Sequence, residues 1–397
     1  MTKAKKMGLI FISLLLLAAI SVGVVFKAKA RNSVETVAAA IEQQEKLSVN
    51  AKSGLLMDFD TGTIVFEQNA DERMPIASMV KIMTLTLCFE EMQKGELKVD
   101  SDIVASSNAT SMGGSQAFLD TGASYKLDEL LKTIIVASAN DSCVAIAEHI
   151  SGSVEEFVIR MNEKAKNLGM ENTNFANCTG LPSPNGYSSA KDVALMTKEM
   201  LKHDAFYDYS TVWMFDLVHP CGRITELSNT NKLTKHYNGC DGGKTGFTNE
   251  AKYCLSATAK RGQTRLISVV MGAETSKVRN GENSKLFNYG FANYETRLLV
   301  DKGENLLDPV VVAKGKQPCV NLLTDSQLHY FGKKGKLEVV YNHNLQTLKA
   351  PVAVGQEAGE LAVTVDGVEV GTVKLVTENA VGKKSYLDYL NDTIANW

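Results

Sequence analysis

Pro75-Ile76-Ala77-Ser78-Met79-Val80-Lys81-Ile82-Met83-Thr84-Leu85 is the stretch from which the rest of this chain is read. Pro75 suits the first position of a helix, and the residues after it are apolar on nearly every side, the pattern of a helix buried all round. Ser78 and Lys81 are the exceptions. Three residues apart, they stand one above the other on one helix face, which brings an amine within reach of a hydroxyl. A lysine among Ile82, Met83 and Leu85 is poorly solvated, so its pKa falls and the neutral amine becomes available as base to a serine nucleophile. A plainer reading fits the same residues: a serine capping a helix and a lysine snorkelling to water. The spacing also arises by chance, and Ser188 to Lys191 repeats it.

Immediately upstream, Gly54 to Phe59 and Thr63 to Gln68 read as two short strands joined at Asp60-Thr61-Gly62, a hairpin that feeds into the Ser78 helix. Residues 31–50 are alanine- and glutamine-rich and read as a spacer. Before them, Lys3, Lys5 and Lys6 precede an uncharged run from Met7 to Phe26, and Ala28-Lys29-Ala30 offers a cleavage site. Residues 1–30 are therefore expected to be a signal peptide or an uncleaved anchor, and the protein to be exported. They carry five lysines and no acid, so without them the net charge of −3 becomes −8, which gives no electrostatic case for binding nucleic acid. The seven cysteines show no C-x-x-C spacing, and the six histidines form no H-E-x-x-H. Neither a metal nor another cofactor is expected, and the thiols are expected to be mostly buried.

Downstream, residues 101–126 are rich in Ser, Gly, Asn and Thr and read as loop. Leu127, Leu130, Leu131, Ile134 and Ile135 then recur at helical spacing, and the helix breaks at Ala137-Ser138-Ala139-Asn140-Asp141 before a second one through Val144, Ala147 and Ile150. Polar side chains at such a break serve either as caps or as the wall of a cavity. Val154 to Leu168 and the region of Val193 to Leu201 are helical, and the irregular stretch between them holds Cys178-Thr179-Gly180-Leu181-Pro182. Gly243-Lys244-Thr245-Gly246 leads into strands at Tyr253 to Ala259 and Arg265 to Ala273. It resembles the end of a phosphate-binding loop, but that motif needs glycine where Asn238 stands.

One ordered set has every member in a fitting context: Ser78-x-x-Lys81, Ser138-x-Asn140 and Lys244-Thr245-Gly246. With flanking stretches such as Asn69 to Ser78 and Ser111-Met112-Gly113-Gly114-Ser115, this set resembles the low-molecular-mass penicillin-binding proteins, the serine-type D-alanyl-D-alanine carboxypeptidases. The resemblance runs from about Ala51 to Tyr294. It implies an α/β (α+β) catalytic domain at 51–302, an antiparallel sheet flanked by helices, with the site between the sheet edge and a helical lobe. It further implies that Ser78 attacks the penultimate D-alanine of a peptidoglycan stem peptide and that Lys81 takes the proton, kept neutral by the charge of Lys244. Ser138 relays the proton, Asn140 holds the substrate amide, and Lys244 and Thr245 bind the terminal carboxylate beside Gly246. The N–H groups of Ser78 and Phe247 form the oxyanion hole, and Arg279 steers the carboxylate. β-Lactam antibiotics are expected as covalent inhibitors. Ala139 stands where many relatives have glycine, and Phe247 where some have histidine.

Residues 303–380 read as a small all-β domain, with Asp366-Gly367 a tight-hairpin signal. In the tail, 381–397, Tyr386, Leu390, Ile394 and Trp397 share one helical face, which fits either peripheral membrane contact or packing on the β domain. Two other activities compete with carboxypeptidase action: endopeptidase cleavage of crosslinks and non-hydrolytic penicillin or muropeptide sensing. A class A β-lactamase is disfavoured by the lack of a Glu-x-x-Leu-Asn loop between Asn140 and Lys244.

Overall fold

The computed structural model describes residues 47–395, so the expected leader at 1–30 and most of the spacer lie outside the described residues. Strands β1 (Ser53–Asp58) and β2 (Ile64–Gln68) form the expected hairpin. Its turn is closed by the N–H and hydroxyl of Thr61, which both donate to the Asp58 carboxylate at 2.8 Å.

The stretch around Ser78 is helical, but the helix does not start at Pro75. Met74 is held extended by two backbone hydrogen bonds with Ser188. The chain then turns at Ala77, whose φ of 47° is left-handed, and makes a 3-10 turn, Ala77–Val80, before α1, Lys81–Lys94. A left-handed alanine costs about 1–2 kcal/mol. Met79, Ile82 and Met83, all fully buried, each return about 1.5–3 kcal/mol, so packing outweighs the strain.

The polar stretch expected to be loop contains a short antiparallel pair, β3 (Asp102–Val104) and β4 (Ser124–Lys126). The two helices around the Ser-Ala-Asn break follow as α2 (Leu127–Ala137) and α3 (Asn140–Ser151). Leu127, Leu130, Leu131, Ile134 and Ile135 are buried, as their periodicity requires. Then come α4 (Val154–Asn167) and α5 (Ala190–Met200), and a hairpin that sequence reading passed over, β5 (Met214–Val218) with β6 (Ile224–Ser228).

Strands β7 (Cys240–Thr248), β8 (Lys252–Arg261) and β9 (Thr264–Ala273) complete a five-stranded sheet of order β2-β1-β9-β8-β7, antiparallel throughout. Every residue of β9 is buried, because α6 (Ser276–Asn293) packs against it as well as α5. At the other end of the order, β7 is an edge strand.

From β10 (Tyr294–Val300) onward the chain is mostly strand. β10 falls before the expected boundary at 303, yet it pairs with Leu328–Lys333, while Thr296 donates its hydroxyl back to Asp58. A second hydrophobic core forms around Leu361, Val363, Val373 and Leu375. The hairpin Glu357–Val365 with Val368–Thr377 turns at Asp366 and Gly367, both at positive φ, 50° and 80°. A final helix, α7 (Tyr386–Ala395), leaves Tyr386, Leu390 and Ile394 exposed, so its apolar face is not packed on the β region. Among the described residues no helix is long and apolar enough to cross a membrane.

Candidate active site

Ser78 is half-buried in the 3-10 turn, and Lys81 is fully buried at the start of α1. Their Oγ and Nζ atoms are 3.0 Å apart. The Nζ of Lys81 has two further neighbours, the Asn140 Oδ1 at 2.6 Å and the Thr179 carbonyl at 2.5 Å. The decoy pair does not meet this way: Ser188 is buried against Thr173, and Lys191 extends to Asp71 at the surface. Removal from water pushes the Lys81 pKa below the ordinary lysine value, although Cys143, Cys178 and Asp141 oppose the shift.

Ser138 occupies the break between α2 and α3, at φ 66°. That conformation ends α2 and directs the Ser138 Oγ to Lys244, whose Nζ donates to it at 2.8 Å. Ala139 sits at φ −58°, an ordinary value, so alanine in place of glycine carries no strain. Asn140 is engaged on both sides, since its Oδ1 accepts from Lys81 and its Nδ2 donates to the Gly113 carbonyl at 2.6 Å. The loop carrying Gly113 is itself anchored to α3 by the Asp141 carboxylate, which accepts the N–H groups of Ala117 and Leu119.

Lys244, Thr245 and Gly246 lie on the edge strand β7. The absence of a side chain at Gly246 is needed there: a Cβ would stand 2.6 Å from the Ile76 carbonyl, so only glycine lets β7 close on the backbone next to Ser78. Lys244 is buried, and its pKa is pushed well below the ordinary value, first by burial and then by the charge of Lys81. The two buried ammonium groups repel one another, so a proton on either disfavours a proton on the other. Thr245 donates its hydroxyl to Thr230 at 2.8 Å, and the half-exposed Phe247 ring rests on Tyr253. Arg279, on α6, is buried, donates to Asn280 and is brought down by burial to about 10, and its charge reaches Lys244.

Sequence reading missed the fourth contributor, the turn Asn177-Cys178-Thr179-Gly180. The Asn177 Oδ1 accepts the N–H groups of Thr179 and Gly180, at 3.1 and 2.6 Å, and Thr84 donates its hydroxyl to the Cys178 carbonyl at 2.7 Å. Together they hold the Thr179 carbonyl on Lys81. The only signal was an asparagine three residues before a glycine, an Asx-turn pattern in an otherwise irregular stretch. Among the described residues no three His, Cys, Asp or Glu side chains cluster to hold a metal ion.

A serine and two buried lysines where a helical lobe meets the edge of an antiparallel sheet is the architecture of the penicillin-binding proteins and serine β-lactamases. Comparison with known proteins narrows it. Residues 38–275 match the family model described as D-alanyl-D-alanine carboxypeptidase, and residues 294–383 match that of the penicillin-binding protein 5 C-terminal domain. The D-alanyl-D-alanine carboxypeptidase DacF of Bacillus subtilis is 41% identical over 90% of this chain and 92% of its own length. For DacC of Escherichia coli the figures are 32%, 90% and 91%. The crystal structure of penicillin-binding protein 5 from Haemophilus influenzae superposes with a TM-score of 0.72 at 33% identity, covering 85% of this chain and 99% of the other. The chain belongs to the D-alanyl-D-alanine carboxypeptidase family.

Proposed function

We propose that this enzyme removes the terminal D-alanine from peptidoglycan stem pentapeptides through an acyl-enzyme on Ser78, and that penicillin acylates the same serine. The observation that carries the reading is the surround of the Lys81 nitrogen. A neutral amine has two N–H donors and one lone pair. Asn140 Oδ1 and the Thr179 carbonyl take the two donors, which leaves the lone pair for the Ser78 hydroxyl at 3.0 Å. Burial supplies the neutral form.

Ser78 attacks the carbonyl of the penultimate D-alanine as Lys81 accepts its proton. The negative oxygen is met by the N–H groups of Ser78 and Phe247. Ser138 relays a proton to the leaving amine, and Asn140 holds the substrate amide. Lys244 and Thr245 bind the terminal carboxylate, with Arg279 drawing it in from behind. That carboxylate favours the charged form of Lys244, and the resulting cation disfavours a proton on Lys81. Water then attacks the acyl-enzyme and frees Ser78.

The basic, apolar leader at 1–30 supports export to the outer face of the cytoplasmic membrane, and the exposed apolar face of α7 supports peripheral membrane contact. The catalytic domain at 51–302 and the β domain at 303–380 then divide chemistry from spacing. The test is the intact mass after penicillin, for the wild type and Ser78→Ala, with D-alanine release from a pentapeptide followed in parallel. An adduct and release in the wild type alone are expected. No adduct would overturn the role of Ser78, and an adduct without release would overturn carboxypeptidase action.

A further inference from the structure

The chemistry above uses the backbone N–H of Phe247 and leaves its side chain without a task. Strand periodicity places that side chain, because successive residues of β7 face opposite sides of the sheet. Gly246 faces the helical lobe, since a Cβ there would meet Ile76, Ala77 and Met79, and Lys244 reaches Ser138 on the same side. Thr245 and Phe247 therefore share the other face, two residues and about 7 Å apart.

The Phe247 ring is 50% exposed, an unusual exposure for a phenylalanine next to a nucleophile segment. It is also held in place. Tyr253 lies directly opposite in the register of β8, with the ring centroids 4.4 Å apart and the planes tilted by 36°. The next pair, Thr248 with Lys252, closes the hairpin, and the Thr248 hydroxyl oxygen accepts the Ala251 N–H at 3.0 Å across the turn. An aromatic surface fixed in this way loses little freedom when something covers it. What covers it follows from the strand. A peptide extended along β7 has its carboxylate at Lys244 and Thr245 and its scissile carbonyl at the N–H groups of Ser78 and Phe247. Its terminal residue spans the distance between Thr245 and Phe247, and a side chain on the Thr245 face of that residue passes over the exposed ring. A methyl group covers little of such a ring, and a longer apolar chain covers more.

We propose that the Phe247 ring determines specificity for the leaving residue, and that it favours terminal D-residues whose side chain is unbranched, apolar and longer than that of alanine. The methylenes lie on the ring while the carboxylate stays with Thr245. The inference rests on the carboxypeptidase reading for the direction of the peptide.

The test uses pentapeptides that differ only in the last residue: glycine, D-alanine and D-norvaline. Release of that residue reports turnover, and protection against acylation by a fluorescent penicillin reports binding. A fully buried methylene is worth about fourfold, so the two that D-norvaline adds, on a half-exposed ring, should together give about fourfold over D-alanine in kcat/KM. The glycine peptide should be the poorest. Phe247→Ala keeps the backbone N–H and should bring the ratio of D-norvaline to D-alanine close to one, whereas Phe247→Leu should keep most of it. Reading the ratio separates the ring from the oxyanion hole, because a loosened hole slows all three peptides alike. Equal turnover and protection with D-alanine and D-norvaline, a preference that survives Phe247→Ala, or protection by none of the peptides would each overturn the proposal. Protection in the expected order without release of the last residue would keep the role of the ring and reject carboxypeptidase action. Release without any preference would do the reverse.

Discussion

Replacing Gly180 by alanine should disable the nucleophile without touching it. Gly180 has a φ of 83°, and a Cβ there would lie 2.0 Å from the Ala77 carbonyl oxygen and 2.8 Å from the Ser78 nitrogen. Both are backbone atoms, so no side chain can swing aside. The left-handed conformation alone costs an alanine about 1–2 kcal/mol. Relief of the overlap requires the turn and the nucleophile segment to separate by about 1 Å, and misplacement on that scale costs on the order of 100-fold in rate. The Thr179 carbonyl moves with the turn and loses its 2.5 Å contact with Lys81, so the lysine no longer presents its lone pair to Ser78. Stopped-flow acylation by a fluorescent penicillin measures the effect directly, with near-ultraviolet circular dichroism reporting whether the fold is intact. A variant that is folded and acylates within about threefold of wild type would refute the claim that this turn sets the base.

Three further outcomes follow from the site. Burial depresses the Lys81 pKa, and the base is the neutral form that exists above that pKa; acylation should therefore rise with pH and level off below the exposed-lysine range near ~10.4. A rise that continues through that range would show an ordinary lysine. Lys244→Gln should lower kcat/KM for a pentapeptide acid by about 10- to 100-fold, the worth of a hydrogen bond to a charged group, while an amidated C-terminus loses much less. All seven cysteines are unpaired, and only Cys221 and Cys319 are exposed, so a thiol reagent should find two fast groups in the native protein and seven after denaturation. Burial raises the Cys143 thiol to about 11, which adds chemical inertness to inaccessibility.

The parts of this site legible in the sequence are those written as side-chain chemistry with a local period. Ser78 and Lys81 are one turn apart, Ser138 and Asn140 interrupt a clear amphipathic pattern, and glycines bracket Lys244. The structure brings all of them together. Backbone atoms were not legible: the Thr179 carbonyl on Lys81 leaves no residue-type signature. Helix α6 was also missed, because it buries Leu286 and Phe287 within a polar run containing Gly281 and Gly290, with no stripe to count. The start of the Ser78 helix was misplaced because tertiary pairing of Met74 with Ser188, rather than Pro75, sets where the helix begins. The tail was the converse case. Its periodicity was plain, but a period says that a face exists and not what it meets.

An unpaired strand edge is usually a hazard, since any other extended chain can add to it and seed aggregation. Here that edge is β7, and the enzyme needs it open. Its protection lies in where it is open. Ser210 donates to the Asp241 carbonyl at 2.6 Å and Asn231 to the Gly242 carbonyl at 3.1 Å, which occupies the first part of the edge, and Gly246 is pressed against Ile76. Only a short segment remains for pairing, long enough for a few residues of peptide and too short to template a sheet between molecules. The side chains of Ser210 and Asn231 thus shield part of the edge, and a variant that removes Asn231 should be judged first by its solubility.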